Sequence, residues 1–155
     1  MALPPFQRFL DEHADAMWRL CAASVGRIDA DDAFQEACVA ALRAYPRLRA
    51  NSNLRSWALT IAHRKALDHH RARSRRPVAV GAPEPDQAAP PAPEPDDALW
   101  DAVRALPPAQ RAALTMRYAG DLTPAEVALA LGITPEAARR RIADGLAKLR
   151  EEYQP

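Results

Sequence analysis

The sequence predicts an all-α chain made of two small helical domains joined by a flexible linker. Three observations lead there. Apolar residues recur at helical spacing on both sides of a proline-rich stretch, start and stop signals bracket each run, and no segment merits a strand. The chain has 155 residues, 48% hydrophobic and 26% charged, which is the balance of a folded protein and leaves room for two very small domains.

Phe6, Leu10, His13, Met17, Leu20/Cys21 and Ser24 fall on one stripe, predicting a helix over about 5–24 that Gly26 ends. A second helix is expected after Asp29 or Asp31, either of which can accept first-turn amide bonds. Its apolar stripe is Phe34, Cys38, Ala41/Leu42 and Tyr45, and Pro46 stops it. After a polar loop, Asn53 caps a third helix that carries Leu54, Trp57/Ala58 and Ile61 inward and runs to about Arg73.

Seven of the 19 residues from Pro77 to Pro95 are proline, and such a segment buries too little apolar area to offset its ordering entropy. It reads as an extended spacer reaching on the order of 60 Å, at about 3.1 Å per residue. Residues 1–76, 77–95 and 96–155 therefore divide as first domain, linker and second domain.

In the second domain, Asp96 or Asp97 caps a helix carrying Leu99, Val103 and Leu106. Pro107 and Pro108 suit the opening turn of the next, with Ala113, Leu114, Met116 and Tyr118 inward. Thr123-Pro-Ala-Glu126 is a capping box heading a short helix with Val127, Ala128 and Leu131 inward, which ends at Gly132. Thr134-Pro135 then starts a last helix running to about Glu152.

The net charge of +1 conceals segregation along the chain. Residues 1–76 hold 13 Lys/Arg against 8 Asp/Glu, a net of +5; residues 77–97 hold five acids and no base; the remainder is +1. A basic block beside an acidic one suggests a polyanion-binding surface next to a polyanion-like tether. No apolar run is long enough to span a membrane, and the N-terminus lacks the basic-then-apolar pattern of a secretion signal, so a cytoplasmic protein is expected. Cys21 and Cys38 lie on apolar stripes and read as core packing rather than metal ligands.

Three segments carry chemistry. The first is Thr123 to Arg150: a short capped helix, the turn Leu131-Gly132-Ile133, and a longer capped helix, which is the helix-turn-helix arrangement. At about 100° per residue, Ala138, Ile142, Gly145 and Leu149 face inward while Glu136, Arg140 and Ala143 face out, flanked by Arg139 and Arg141. Arginine on the outward N-terminal half of such a helix is the commonest reader of guanine. A merely solvated basic face is the blander reading, and the capped helix and glycine turn in front weigh against it.

The second segment, Leu54 to Arg76, has seven bases (Arg55, Arg64, Lys65, Arg71, Arg73, Arg75, Arg76) against Asp68 alone. It suits phosphate tracking, with Trp57 either stacking a base or anchoring the core. His63 and His70 lie seven apart on one face, but nothing completes a metal site at convincing spacing, and neither metal nor cofactor is expected. The third segment is Asp31-Asp32-Ala-Phe-Gln35-Glu36, where first-turn acids either stabilise a helix dipole or form a protein contact on a basic domain.

Together these segments resemble a bacterial RNA polymerase sigma factor of the small, two-domain extracytoplasmic-function (ECF) type within the sigma-70 family. Asp32-Ala-Phe-Gln35-Glu36 is similar to the family's Asp-x-x-Gln-Glu signature, and the resemblance implies docking on core RNA polymerase through Asp32, Gln35 and Glu36. Leu54 through Asp68 resembles the tryptophan helix that follows in the family. That likeness implies minus-ten promoter contacts by Asn51, Ser52, Asn53, Arg55, Trp57, Arg64, Lys65 and Arg71. Leu106-Pro-Pro-Ala-Gln110-Arg111 resembles the family's Leu-Pro-x-x-x-Arg opening of the second domain. Leu122 to Arg150 is similar to the helix-turn-helix that reads the minus-thirty-five element, implying contacts by Thr134, Glu136, Ala137, Arg139, Arg140 and Arg141.

The family also implies promoter DNA and an anti-sigma factor as partners, no membrane insertion and no catalysis. The chain departs from the family pattern at His63-Arg64, and at Asp144 and Leu146, where basic residues are frequent; the latter pair weakens the expected phosphate grip. The rival readings are a helix-turn-helix regulator that never joins polymerase, a helical metalloenzyme using His63 and His70, and an adaptor that keeps only the polymerase-docking surface. The acidic linker is expected to act as a nucleic-acid mimic along a basic channel.

Overall fold

The structure, a computed structural model, describes residues 2–75 and 97–153. The proline-rich segment 77–95 and the cap candidate Asp96 lie outside the described residues. Among the described residues seven α-helices follow in order: α1 (Phe6–Val25), α2 (Arg27–Ala44), α3 (Leu54–Arg75), α4 (Asp97–Ala105), α5 (Pro108–Tyr118), α6 (Pro124–Leu131) and α7 (Pro135–Glu152), with a 3-10 turn at Tyr45–Arg47. No strand occurs among the described residues.

Helices α1, α2 and α3 pack mutually, and α5, α6 and α7 form a second group against which α4 leans. In α1, Phe9, Met17, Leu20 and Cys21 are buried, with Phe6 and Leu10 packed against them. Phe9, one position off the expected stripe, is the centre of an aromatic cluster: its ring lies 5.5 Å from Phe6, 5.4 Å from Tyr45 and 5.4 Å from Trp57. Gly26 stops α1 with φ at 86°, and the chain re-enters helix at once.

The second helix departs from the sequence reading in two ways. It begins at Arg27, with Gly26 at the N-cap and no side-chain cap, so Asp29 sits inside the first turn and Asp31 does not cap. Its buried face is Ala30, Ala33, Ala37 and Ala41 rather than the larger stripe, and Leu42 is 55% exposed. Small side chains let α1 and α3 approach closely, so packing of backbones outweighs burial of the bulkier Leu42. Tyr45 remains buried but lies in the 3-10 turn, where Pro46 suits the first positions.

Local signals elsewhere hold. Asn53 Oδ1 accepts from the Ser56 amide at 3.1 Å, capping α3. Thr123 and Glu126 close the capping box at the start of α6, and Gly132 ends it in the left-handed region at φ 67°. The Ile133 amide then donates to the Ala128 carbonyl at 3.0 Å, which tightens the turn before α7. Thr134 Oγ1 accepts from the Ala137 amide at 3.1 Å and starts that helix. Ala138, Ile142 and Gly145 are buried on α7 as expected. Tyr118, expected inward, is 58% exposed beneath the Arg117 guanidinium, while Leu122, in the turn before α6, is fully buried.

The two helical groups are not independent bodies. A single hydrophobic cluster runs from Phe9, Leu20, Cys21 and Leu59 through Leu106, Ala113 and Met116 to Val127 and Ile142. Helix α1 contacts α4 and α5, and α3 contacts α6.

Candidate nucleic-acid interface

Helix α7 is positioned by its cap and its buried side. Glu136, Arg139 and Arg140 are exposed, Arg141 and Ala137 half-buried, and Thr134 is exposed while holding the cap. Arg139 pairs with Glu136 at 3.6 Å, leaving Arg140 to project from the same solvent face. The helix N-terminus and these guanidiniums together form a concentrated positive end, suited to a polyanion. Asp144 is exposed further along the helix, whereas Leu146 is half-buried and lines an apolar groove with Leu99, Trp100, Val103 and Leu149. The structure therefore puts Leu146 on the side facing α4, so a basic residue there would not project from the Arg140 face.

The second basic element is α3 and the loop before it. Asn51, Asn53, Arg55, Arg64 and Arg71 are exposed; Ser52, Trp57 and Lys65 are half-buried. Trp57 stands edge-on to Phe9 and 6.2 Å from the Tyr45 ring, so most of its surface is spent on the aromatic cluster. That makes it a floor supporting the loop more than a free stacking platform. Arg64 and Arg71 lie seven and fourteen residues beyond Trp57, nearly in line with it along α3. Arg71 approaches Asp68 at 3.9 Å, an exposed pair that competing phosphate displaces at little cost.

Lys65 belongs to a different surface. It lines a shallow groove between α2 and α3 with Asp32, Gln35, Glu36 and Val39, and pairs with Asp68 at 3.8 Å. Asp32, Gln35 and Glu36 are all exposed on one face of α2, and the exposed apolar Val39 lies beside them. An exposed apolar residue ringed by polar ones has the arrangement, though not the usual low charge, of a protein contact. The same groove is closed at one end by Asp29, which binds Arg73 and lies 3.7 Å from His69.

His63 and His70, seven apart, do not converge on a metal site. His70 Nε2 is 2.7 Å from the Ser24 carbonyl, and His63 lies at the seam between the two helical groups with Arg111. Burial and the positive charges of Arg111 and Arg64 hold the His63 imidazole below its ordinary pKa. Among the described residues no group of three potential ligands is close enough to hold a metal ion. Cys21, buried at 0% exposure, is pushed up to about 12, chiefly by desolvation, and is a core residue.

Sequence reasoning missed what faces Asn53 and Arg55. The Asn53 side-chain amide donates to Glu126 Oε2, and Arg55 Nη1 lies 3.3 Å from Asp121 Oδ2. Both acids come from the turn and first helical residues of α6, across the seam. Glu126 therefore uses one carboxylate oxygen to cap its own helix, at 3.0 Å from the Thr123 amide, and the other to hold the first group. Hydrogen bonds from Thr123 and Asn53 keep its carboxyl below the usual range. Arg111, expected from the Leu-Pro-x-x-x-Arg segment, donates to the Arg104 carbonyl at 2.9 Å and so caps the end of α4.

Comparison with known proteins bears on this geometry. Residues 9–76 match Sigma-70 region 2 and residues 96–149 match Sigma-70, region 4. The chain is 32% identical to the ECF RNA polymerase sigma factor ShbA of Streptomyces griseus subsp. griseus, over 85% of this chain and 78% of that one. It is 30% identical to the RNA polymerase sigma factor CarQ of Myxococcus xanthus, over 94% of this chain and 93% of the relative. Its fold is shared with the sigma factor RpoE in a co-crystal structure with the anti-sigma factor NepR from Bartonella quintana, at a TM-score of 0.78, 20% identity and 96% coverage of both chains. No helix among the described residues is long and apolar enough to cross a membrane. The chain belongs to the extracytoplasmic-function sigma factors of the sigma-70 family.

Proposed function

We propose that this sigma factor acts in the cytoplasm, without catalysis of its own, by placing two DNA-reading surfaces on core RNA polymerase. The groove side of α2, with Asp32, Gln35 and Glu36, docks on the polymerase. Asn51, Ser52, Asn53 and Arg55, with Arg64 and Arg71 along α3, hold the unstacked minus-ten strand. Trp57 supports that loop from below, and Lys65 serves the polymerase groove rather than the DNA. The cap at Thr134, Ala137 and the exposed Glu136, Arg139, Arg140 and Arg141 read the minus-thirty-five element in the major groove. An anti-sigma factor is the expected antagonist, and the division into residues 1–76, 77–95 and 96–155 belongs to the same proposal.

The observation that supports this most directly is the separation of chemistry on the first helical group: exposed acids on α2, exposed bases and amides along α3. A repressor or activator acting alone has no use for the first surface. The test is run-off transcription with bacterial core polymerase on fragments of the source genome. Promoter-specific transcripts are expected with the wild type, and none with Asp32→Ala/Glu36→Ala. Sequence-specific duplex binding by the free protein without any polymerase-dependent transcript would overturn the reading in favour of a stand-alone regulator.

A further inference from the structure

We propose that a second copy of this chain covers the outer face of α2, the two α2 helices pairing antiparallel about a two-fold axis when core polymerase is absent. The pairing itself stands apart from the polymerase-docking role given above; only its competition with core polymerase rests on that reading.

Two independent observations carry it. The first is an apolar stripe. Among the described residues, three of the five exposed large apolar side chains lie on α2: Ile28 is 71% exposed, Val39 47% and Leu42 55%. At about 100° per residue they fall within roughly 60° of arc, on the side opposite the buried Ala30, Ala33, Ala37 and Ala41. With Asp32 and Gln35 between them, Ile28, Val39 and Leu42 complete a row whose steps alternate four and three residues. That is the heptad seam along which one helix packs on another, and here it runs about 21 Å. Single exposed apolar residues call for no partner, but a row of them at this spacing is a surface for a second helix.

The second observation is the polarity of charge along that seam. Exposed Asp31, Asp32 and Glu36 border its N-terminal half, and exposed Arg43 and Arg47 stand at its C-terminal end. Parallel pairing of two copies would set acid on acid. Antiparallel pairing sets the acidic end of each copy against the basic end of the other, and opposes the two helix dipoles. The register that places Gln35 opposite Val39 of the second copy also brings Asp32 to Arg43 of that copy, Ile28 to its exposed Pro46, and Leu42 between its Ile28 and Gln35. The surface is thus complementary to itself, which is the requirement of a two-fold dimer. One helix pair of this length buries less than the roughly 1,200 Å² of a stable interface, so the dimer is weak, with a Kd on the order of 100 µM. Asp32, Gln35 and Val39 also line the groove assigned to the polymerase, so one α2 serves the second copy or the polymerase in turn.

Sedimentation velocity on the full-length wild type, from about 5 µM to about 500 µM, should show a reversible shift from monomer to dimer. Ile28→Ser/Leu42→Ser changes only exposed side chains and should stay monomeric over that range while keeping its circular dichroism. Asp32→Arg sets arginine against Arg43 of the other copy, and Arg43→Asp sets aspartate against its Asp32. Each variant alone should therefore be monomeric, and their equimolar mixture should associate at least as tightly as the wild type. A wild type that is monomeric throughout overturns the proposal, as does a mixture that associates no better than its components. Serine variants that dimerise like the wild type overturn it too. With donor- and acceptor-labelled wild type at half-association, a stoichiometric amount of core polymerase should abolish energy transfer between copies. Transfer that persists while the protein is bound to core removes the competition and, with it, the docking role of Asp32, Gln35 and Glu36; the dimer itself is then decided by sedimentation.

Discussion

Replacing Glu126 by Ala and by Gln distinguishes the three things its carboxylate does. Alanine leaves the Thr123 amide without its 3.0 Å partner, removes the bond to Asn53 and takes a negative charge from the first turn of α6. A lost cap partner costs about 0.5–1 kcal/mol at a solvent-accessible terminus, and the Asn53 bond adds about 0.5 kcal/mol at an exposed site. The charge contributes about 0.3 kcal/mol more. The sum is ~1–2 kcal/mol. Glutamine keeps the cap bond through its one carbonyl oxygen but turns an NH2 toward the Asn53 NH2, so it loses the Asn53 bond and the charge, together about 0.8–1 kcal/mol. Because one core joins both helical groups, the chain should unfold as a unit, and for its size each kcal/mol shifts Tm by about 2–4 °C. Thermal denaturation followed by circular dichroism at pH 7 should place Glu126→Ala ~3–6 °C below wild type and Glu126→Gln ~2–4 °C below it, the cap bond making the difference. The pH dependence checks the charge separately. The folded carboxyl lies below its ordinary value, so its contribution is complete above 4.5 and is lost as pH falls through the folded value. Wild type should therefore lose its advantage over Glu126→Gln on acidification below 4.5. Equal destabilisation by Ala and Gln at pH 7 would refute the share given to the Thr123 cap bond, and a Gln variant as stable as wild type would refute the share given to Asn53 and the charge.

Phe9→Ala, at 0% exposure among three aromatic rings, should cost about 3–5 kcal/mol in urea unfolding, or prevent folding at 37 °C. Thr134→Ala should destabilise by about 1 kcal/mol in the same assay and weaken minus-thirty-five duplex binding through fraying of the reading end of α7. If Arg140 reads a guanine, Arg140→Ala should lose about 1–3 kcal/mol of discrimination at one base pair, measured by competition with base-substituted duplexes; a uniform loss over all sequences would mark a phosphate contact instead. His63, held below 6.5 at the seam, binds fewer protons in the packed state, so its contribution is complete above 6.5 and lost as pH falls below it. His63→Gln should flatten stability between pH 7 and 5 relative to wild type.

Local signals made much of the fold legible. Asn53, the Thr123/Glu126 box, Gly132 and Thr134 each act on amides or carbonyls within a few residues, so the chain order alone shows both donor and acceptor. The core was less legible where burial does not follow side-chain size. Ala30, Ala33, Ala37 and Ala41 line α2 because two neighbours press against it, while Leu42 and Tyr118 stay exposed. Apolar periodicity ranks residues by bulk and cannot register how near another helix comes. Leu146 shows the same limit at the site: read by composition it is a missing base, and read by position it belongs to the groove facing α4.

The largest gap lies between the two helical groups. A proline-rich stretch argues for independent domains, and each group does have its own caps and apolar faces. Yet Asn53 and Glu126 are 73 residues apart, and Arg55 and Asp121 are 66 apart, so no spacing rule connects them. What the sequence reveals of Glu126 is one carboxylate oxygen, the one satisfied by its own helix. The second oxygen needs a partner that only the packing of α3 against α6 provides. The start of α3 and the start of α6 are thus joined through a side chain whose local role in its own helix is complete without that contact. A capping residue with a free oxygen is where a weak, reversible contact between two helical groups can be built without disturbing either fold.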